Sequence, residues 1–276
     1  MTLDAPAKLN LSLVVMGKRP DGYHELNTIM VKLPGLADQV TFEPADEFSF
    51  SCDDPALPTD ESNLVVKAVR AYETASGTPC RYRISLEKHV PHGAGLGGGS
   101  SDAATTLLGL NQLNGNTLSL EKLSEIAASL GSDIPFFLSP GAARCTGRGE
   151  IIKKVPPIRP TPVLLLKPSF GVSTQDAYGR FSDRNPGITG ISYRMQKLPF
   201  GKAVNNLERP VFSKHRFLGE LKQWLLERPE TLGALMSGSG STVFAVLKNP
   251  DDAEKVAAEA KAALDPNLWS WSGFTG

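Results

Sequence analysis

The stretch Pro91-His92-Gly93-Ala94-Gly95-Leu96-Gly97-Gly98-Gly99-Ser100-Ser101-Asp102-Ala103-Ala104 packs five glycines into seven residues and then runs into small helix-forming side chains. Glycine lets the backbone take positive φ and lets a ligand approach the main chain. A helix start presents unpaired N–H groups and a partial positive charge. Before the glycines, Arg81–Lys88 alternates with Tyr82, Ile84 and Leu86 apolar, a strand pattern. After them, Ala103, Ala104, Leu107, Leu108 and Leu110 recur at helical spacing. Strand, glycine loop and helix together make an anion cradle, suited above all to phosphate. Ser100 and Ser101 either cap the helix or bond a phosphate oxygen. The alternative is a flexible loop with a serine cap, but so many glycines cost order unless a ligand compensates.

Three further stretches carry candidate chemistry. Lys8–Val15 alternates, with Leu9, Leu11, Leu13 and Val15 on one side and Lys8, Asn10 and Ser12 on the other. That polar side is either solvated or part of a site. The turn-rich segment Gly17–Leu26, punctuated by Pro20 and Gly22, favours a site by bringing Tyr23 and His24 near it. Asp133 stands alone in Gly131-Ser132-Asp133-Ile134-Pro135-Phe136-Phe137-Leu138. It either caps a short helical turn or is a carboxylate held in a dry pocket as a base or metal ligand. Arg144 and Arg148, around the Gly147-Arg148-Gly149 turn, are available to phosphates or to solvent. Met236–Thr242 is a glycine–serine loop too long for a tight hairpin, which suits packing against another loop or a ligand.

The elements that must position these residues follow from pattern. Strands are expected at Ile29–Leu33, Gln39–Glu43 and Glu47–Cys52, antiparallel because no helix fits between them. A helix is expected over Asp60–Ser76, capped by Ser62 or Asp60 and stopped by Gly77, and another from Ser119 to Gly131. Ala142–Val155 reads as a hairpin. The proline run Pro156–Pro162 is the best domain boundary. Beyond it come a strand at Val163–Lys167, a helix opened by Ser173 or Thr174, a loop over Arg184–Pro199 and a helix near Ser213–Glu227. The chain then ends in strand, glycine–serine loop, strand and a helix through Asp251–Leu264.

Composition narrows the function. The chain of 276 residues carries 29 Lys+Arg against 29 Asp+Glu, so no general electrostatic case exists for nucleic acid or an acidic membrane. The N-terminus lacks the basic and apolar regions of a signal peptide, and no apolar run is long enough to span a bilayer. Three cysteines without metal-site spacing point to a reducing compartment, the cytoplasm. The loop lacks the lysine of a Walker motif. It imitates the dinucleotide fingerprint only in part, without the opening βαβ unit. The protein-kinase motifs are absent.

Ala5-Pro6-Ala7-Lys8-Leu9-Asn10-Leu11, Pro91–Ala104 and Ser237-Gly238-Ser239-Gly240-Ser241 resemble, in order and along nearly the whole chain, the motifs of the galactokinase, homoserine kinase, mevalonate kinase and phosphomevalonate kinase (GHMP) superfamily. Arg19-Pro20-Asp21-Gly22-Tyr23-His24-Glu25-Leu26, Gly131-Ser-Asp-Ile-Pro-Phe-Phe and Gly171-Val-Ser-Thr resemble one branch of it. That branch phosphorylates the 2-hydroxyl of 4-diphosphocytidyl-2-C-methyl-D-erythritol in the non-mevalonate route to isoprenoids.

The resemblance implies an α+β, two-domain fold with mixed and antiparallel sheets, packed helices and a cleft between the domains, here 1–155 and 156–276. It implies ATP on Pro91, His92, Gly93, Ala94, Gly95, Leu96, Gly97, Gly98, Gly99, Ser100 and Ser101, with Mg²⁺ whose protein ligands are unknown. By motif position, Lys8 and Asp133 match the catalytic lysine and aspartate, and Asn10, Tyr23, His24, Thr174 and Tyr178 match the residues holding the cytidyl substrate. Asp102 would repel phosphate, so its side chain is expected to point away from the ligand. The chain departs from the family pattern at His92, Ala94, Asn206 and Ser241, none of which removes the catalytic pair. A sister kinase or a non-catalytic nucleotide binder are the alternatives; the Tyr23-His24 block separates the first, and turnover the second. Monomer and homodimer are equally compatible with the sequence.

Overall fold

The strand at the N-terminus extends to both sides of Lys8–Val15. In a computed structural model, which describes residues 1–181, 187 and 189–276, strand β1 runs over Thr2–Lys18 and pairs antiparallel with β2, His24–Pro44. The separate strands expected at 29–33 and 39–43 are therefore one strand of 21 residues. Residues 34–36 form a bulge between the partners Leu33 and Ala37, which lets the strand carry Pro34 and Gly35 without breaking. The expected antiparallel strand before Cys52 is also corrected. It is β3, Ser49–Cys52, and it pairs in parallel with β4, Tyr82–Glu87, across helix α1, Leu64–Ser76. Asn63, not Ser62 or Asp60, caps α1 by accepting from the Val65 N–H at 2.8 Å. Asp60 instead spends its carboxylate on Ser62. Gly77 ends α1 in the left-handed region, as expected.

The first sheet runs β3-β4-β2-β5-β6 with β1 also on β2; β5 is Ala143–Gly147 and β6 is Ile151–Lys154. Helices α2 (Gly98–Leu113), α3 (Leu120–Leu130) and α4 (Ile134–Leu138) join α1 in a core with Met30, Val40, Phe42 and Ile84. The second sheet runs β10-β11-β7-β12, all antiparallel. Its strands are β7 (Pro162–Lys167), β10 (Thr231–Met236), β11 (Val243–Leu247) and β12 (Trp269–Phe274). Strand β12 has no counterpart in the expectation. The connector 155–161 joins the two sheets. Leu9, Leu11, Val31 and Leu33 pack against Val163, Leu165, Leu235 and Phe244, so the apolar face of β1 meets the second sheet. The other face, with Lys8 and Asn10, is buried too, each 3 % exposed.

Helix α5 is Thr174–Gly179. The loop expected over Arg184–Pro199 lies partly outside the described residues, at 184–186 and 188. Its last residues enter a hairpin of β8, Gln196–Leu198, and β9, Gly201–Ala203. The helix expected at 213–227 is two helices, α6 (Glu208–Lys214) and α7 (Arg216–Leu226). They part at His215, whose ring stacks on Phe170 at 5.3 Å. Helix α8, Ala253–Ala263, closes the second core through Val256 and Ala260.

The start of α6 ties two distant segments together. Asn206 bonds both the N–H and the carbonyl of Val15, holding the end of β1. Asn205 donates to the carbonyls of Met236 and Gly238, and Glu208 accepts from the Met236 N–H. Burial raises the Glu208 carboxyl, and Lys222, 2.6 Å away, opposes that rise. Asn206 thus serves through its amide where the family pattern often carries a charge.

Candidate active site

The two glycine loops are packed on each other, and this decides where β1 puts its lysine. Gly95 and Gly97 have φ of 74°. A Cβ on Gly95 would overlap the Ser237 carbonyl oxygen and lie 2.9 Å from that of Gly240. The Ser237 hydroxyl donates to the Gly95 carbonyl at 3.0 Å, and the Thr242 N–H to that of Ala94 at 3.1 Å. Met236–Thr242 is therefore long because it backs the first loop. The Lys8 N–H donates to the Leu96 carbonyl at 2.8 Å, which fastens the loop to β1. A Cβ on Gly97 would lie 3.0 Å from the Lys8 side chain. Glycine is what lets the lysine lie along the loop.

The Lys8 ammonium is 3.4 Å from the Asp133 carboxylate and donates to Asn10 Oδ1 at 2.5 Å. Asn10 Nδ2 donates to Thr28, whose hydroxyl donates to the Ser12 carbonyl. This chain holds Asn10 with its oxygen toward Lys8. Asp133 occupies the N-cap position of α4 but makes no side-chain capping bond. Its side chain is 33 % exposed, so it faces the opening while Lys8 is almost sealed. The turn Gly147–Gly149 packs beside it, with Asp133 Oδ1 and Ser132 about the Gly149 Cα. Burial and the nearby Asp133 push the Cys145 thiol up to about 12, which keeps it protonated.

A cleft of about 1210 Å³ opens over these groups. Of the residues singled out in the sequence, Lys8, Asn10, Tyr23, His24, Pro91–Ser100, Asp133, Thr174 and Tyr178 all line it. Ser101 does not. It is fully buried, and its hydroxyl finds no partner. Neither serine caps α2: the N-cap is Gly97, because the glycines let the helix start earlier than the serines. Ser100 thus stands in the first turn, facing the cleft, and Ser101 turns inward. Asp102 points away from the cleft toward Lys88, 2.8 Å distant.

The aromatic end of the cleft is built around His24. Tyr178 pairs with His24 at 5.6 Å, and Phe181 meets His24 edge-on at 5.9 Å. Tyr23 is 52 % exposed and carries the Arg148 guanidinium over its ring at 4.7 Å. Burial, then Lys18, holds His24 below the usual histidine range, so it is neutral at pH 7 and both donates and accepts. Thr174 shares a hydroxyl hydrogen bond with Ser239, joining α5 to the second loop, while Ser173 is the cap. Ser132, Gln175, Phe181, Gly238 and Ser239 line the cleft without having been singled out as binding residues. Gly238 and Ser239 belong to a loop whose packing role was legible, and Ser132 precedes Asp133 in its motif; Gln175 and Phe181 carry no local pattern that marks a site.

The geometry matches known proteins. Residues 63–141 match the GHMP kinases N terminal domain and residues 195–265 the GHMP kinases C terminal domain. The chain is 42% identical over 246 residues to the 4-diphosphocytidyl-2-C-methyl-D-erythritol kinase of Protochlamydia amoebophila, covering 88% of this chain and 83% of that one. It is 40% identical over 276 residues to the protein of the same name from Methylacidiphilum infernorum, covering 96% and 93%. A crystal structure of a 4-(cytidine 5'-diphospho)-2C-methyl-D-erythritol kinase superposes with a TM-score of 0.82 at 35% identity, covering 100% of this chain and 99% of the other. The homoserine kinase of Cytophaga hutchinsonii shares the fold, with a TM-score of 0.70 at 19% identity and coverage of 100% and 94%. The chain belongs to the 4-diphosphocytidyl-2-C-methyl-D-erythritol kinase family, within the GHMP kinases.

Proposed function

We propose that the protein transfers the γ-phosphoryl group of ATP to the 2-hydroxyl of 4-diphosphocytidyl-2-C-methyl-D-erythritol, in the non-mevalonate route to isoprenoid precursors. The observation that carries this reading is the Lys8–Asp133 pair at 3.4 Å, set between a glycine loop and a histidine–tyrosine pocket. The loop N–H groups and Ser100 hold the ATP phosphates. Asp133 takes the proton of the acceptor hydroxyl as its oxygen bonds the γ-phosphorus and the bond to ADP breaks. Lys8 stabilises the charge on the reacting oxygens, and Asn10 aims it. His24 and Tyr178 hold the cytosine, with Tyr23 at the rim and Thr174 beside the second loop.

Magnesium would enter with the nucleotide. No cluster of three or more histidine, cysteine, aspartate or glutamate side chains suited to a metal occurs among the described residues. Asp133 is the one carboxylate among the described residues lining the cleft. A lining with a single carboxylate fits an ion that would be held chiefly by the nucleotide's phosphates, where it would neutralise their charge. We read the chain as two domains, 1–155 and 156–276, and place it in the cytoplasm, a reading supported by three free cysteines. No helix among the described residues is long and apolar enough to cross a membrane.

Incubation of the purified protein with ATP, Mg²⁺ and the cytidyl substrate, followed by ³¹P NMR, tests the proposal. A new phosphomonoester at the 2-position with equimolar ADP is the expected outcome. ADP release without that ester, or preferred turnover of mevalonate or homoserine, overturns it.

The acceptor carries a diphosphate between its cytidine and its sugar alcohol. Arg148 lines the cleft between Tyr23 and the Asp133 turn, and its only ion pair among the described residues is a loose one, 3.9 Å to Glu150. We assign it to that diphosphate. Arg148→Met is expected to raise the acceptor KM about tenfold, the worth of a charge-assisted hydrogen bond, with the ATP KM unchanged. Steady-state kinetics with each substrate varied checks it.

A further inference from the structure

One buried charge cluster fastens the phosphate loop at both ends. Lys88 lies just past β4, ahead of the loop, and Asp102 lies one turn into α2, behind it. Asp38 comes from β2, shortly after the 34–36 bulge. Lys88 Nζ donates to Asp102 Oδ2 at 2.8 Å and to Asp38 Oδ2 in a shorter contact. Asp38 Oδ1 accepts from the His89 N–H at 2.6 Å and the Val90 N–H at 2.7 Å. The three side chains are 8 %, 0 % and 3 % exposed for Lys88, Asp38 and Asp102. Asp102 Oδ1 has no partner.

The charge count is the unusual feature. Two carboxylates share one ammonium, away from water. Ionised together they leave a net negative charge beneath a loop built to hold phosphates. Like charges in one buried site resist ionising together. Asp38 uses both oxygens as acceptors, three times in all. Asp102 accepts only from Lys88 and has a spare oxygen for a proton.

We propose that the Lys88–Asp38–Asp102 cluster is a neutral, proton-holding clamp: Asp102 stays protonated while ATP occupies the loop, and loss of that proton weakens ATP binding. The proposal rests on the reading of Pro91–Ser100 as the ATP site. Burial pushes the Asp102 carboxyl up, Lys88 opposes and Asp38 reinforces, to about 8. With the proton on Asp102 the cluster is neutral; without it the cluster carries one negative charge that opposes the nucleotide. Linkage makes the effect reciprocal, so ATP binding draws a proton onto Asp102. The charged groups facing Asp102 are Lys88 from the end of β4 and Asp38 from β2. No charge from α1, α3, α4 or β1, the other elements packed on α2, is among them.

Calorimetric titration with Mg²⁺–ATP near pH 8.5, in two buffers of different ionisation enthalpy, reads the proton directly. The wild-type protein is expected to take up a fraction of a proton. Its Kd for ATP is expected to weaken about tenfold from pH 7 to pH 9.5, the consequence of a bound-state shift of about one pH unit. Asp102→Asn keeps an oxygen for Lys88 but has no proton to lose, so its uptake vanishes and its affinity stays flat. Asp38→Asn is the second arm. It keeps an oxygen for His89 and Val90, removes the neighbouring charge and moves the uptake to lower pH. Binding without proton uptake, or the same pH dependence in wild type and D102N, overturns the clamp while leaving the ATP site standing. Absence of ATP binding at pH 7 overturns both.

Discussion

Asp133→Asn is expected to lower kcat by about 10²–10⁴-fold, the range for removing a positioned general base, while both KM values change little. Asparagine keeps the shape and the α4 position but cannot take the acceptor's proton. The change costs the fold little, because the Asp133 side chain is one-third exposed and makes no capping bond. Lys8 keeps Asn10 as an acceptor at 2.5 Å, so it is not left buried and unpartnered. The loss therefore belongs to chemistry and not to binding or stability. Single-turnover rates with saturating substrates, beside a thermal melt, separate the two. A variant within tenfold of wild type would show that Asp133 mainly orients the hydroxyl.

Gly95→Ala is expected to disable the protein by a different route. The residue sits at φ 74°, where a side chain costs about 1–2 kcal/mol, and the new methyl meets the backbone of the second loop. The obstacle is the carbonyl oxygens of Ser237 and Gly240, which cannot swing aside as a flexible side chain does. The two loops must separate, at a total cost of about 3 kcal/mol and a fall in Tm of roughly 10 °C. The displacement reaches Lys8 through its bond to the Leu96 carbonyl. A shift of about 1 Å at the reacting groups suffices for a 100-fold loss in kcat/KM. Gly93→Ala is the control. Its φ is 63°, but the added Cβ meets only the Gly171 Cα at 3.5 Å, so it carries the backbone cost alone. Calorimetric melting of the pair gives the answer; equal Tm values would refute the clash.

Local patterns specified much of this molecule. The alternation at Tyr82–Glu87, the glycines at 93–99 and the apolar spacing beyond them give strand, loop and helix because each signal is read within a few residues. Ser119 and Gly131 bound α3, and Gly77 stops α1, for the same reason: caps answer a local need for donors, acceptors or a left-handed turn. Lys8, Asn10, Tyr23, His24 and Asp133 were legible as candidates because polar groups stood where a fold alone would not need them, and because their order resembles a family.

What the tertiary structure alone decided is how those pieces meet. Chain pattern says that Lys8 lies on a polar strand face; only the packing of the glycine loop on β1 turns that face into a buried one, 3.4 Å from Asp133. Nothing near Arg148 announces Tyr23, and the hairpin between β5 and β6 brings them together by pairing β5 to β2. Pro34 and Gly35 read as a break, yet a bulge carries the strand through them to Asp38. Ser101 and Ser100 look alike in sequence, but the helix starts at Gly98, and a rotation of about 100° per residue sends one hydroxyl to the cleft and the other into the core. Register, bulge and helix phase depend on contacts between segments far apart in the chain, and these contacts place the glycine loop in one cleft with a lysine, an aspartate and a histidine–tyrosine pair.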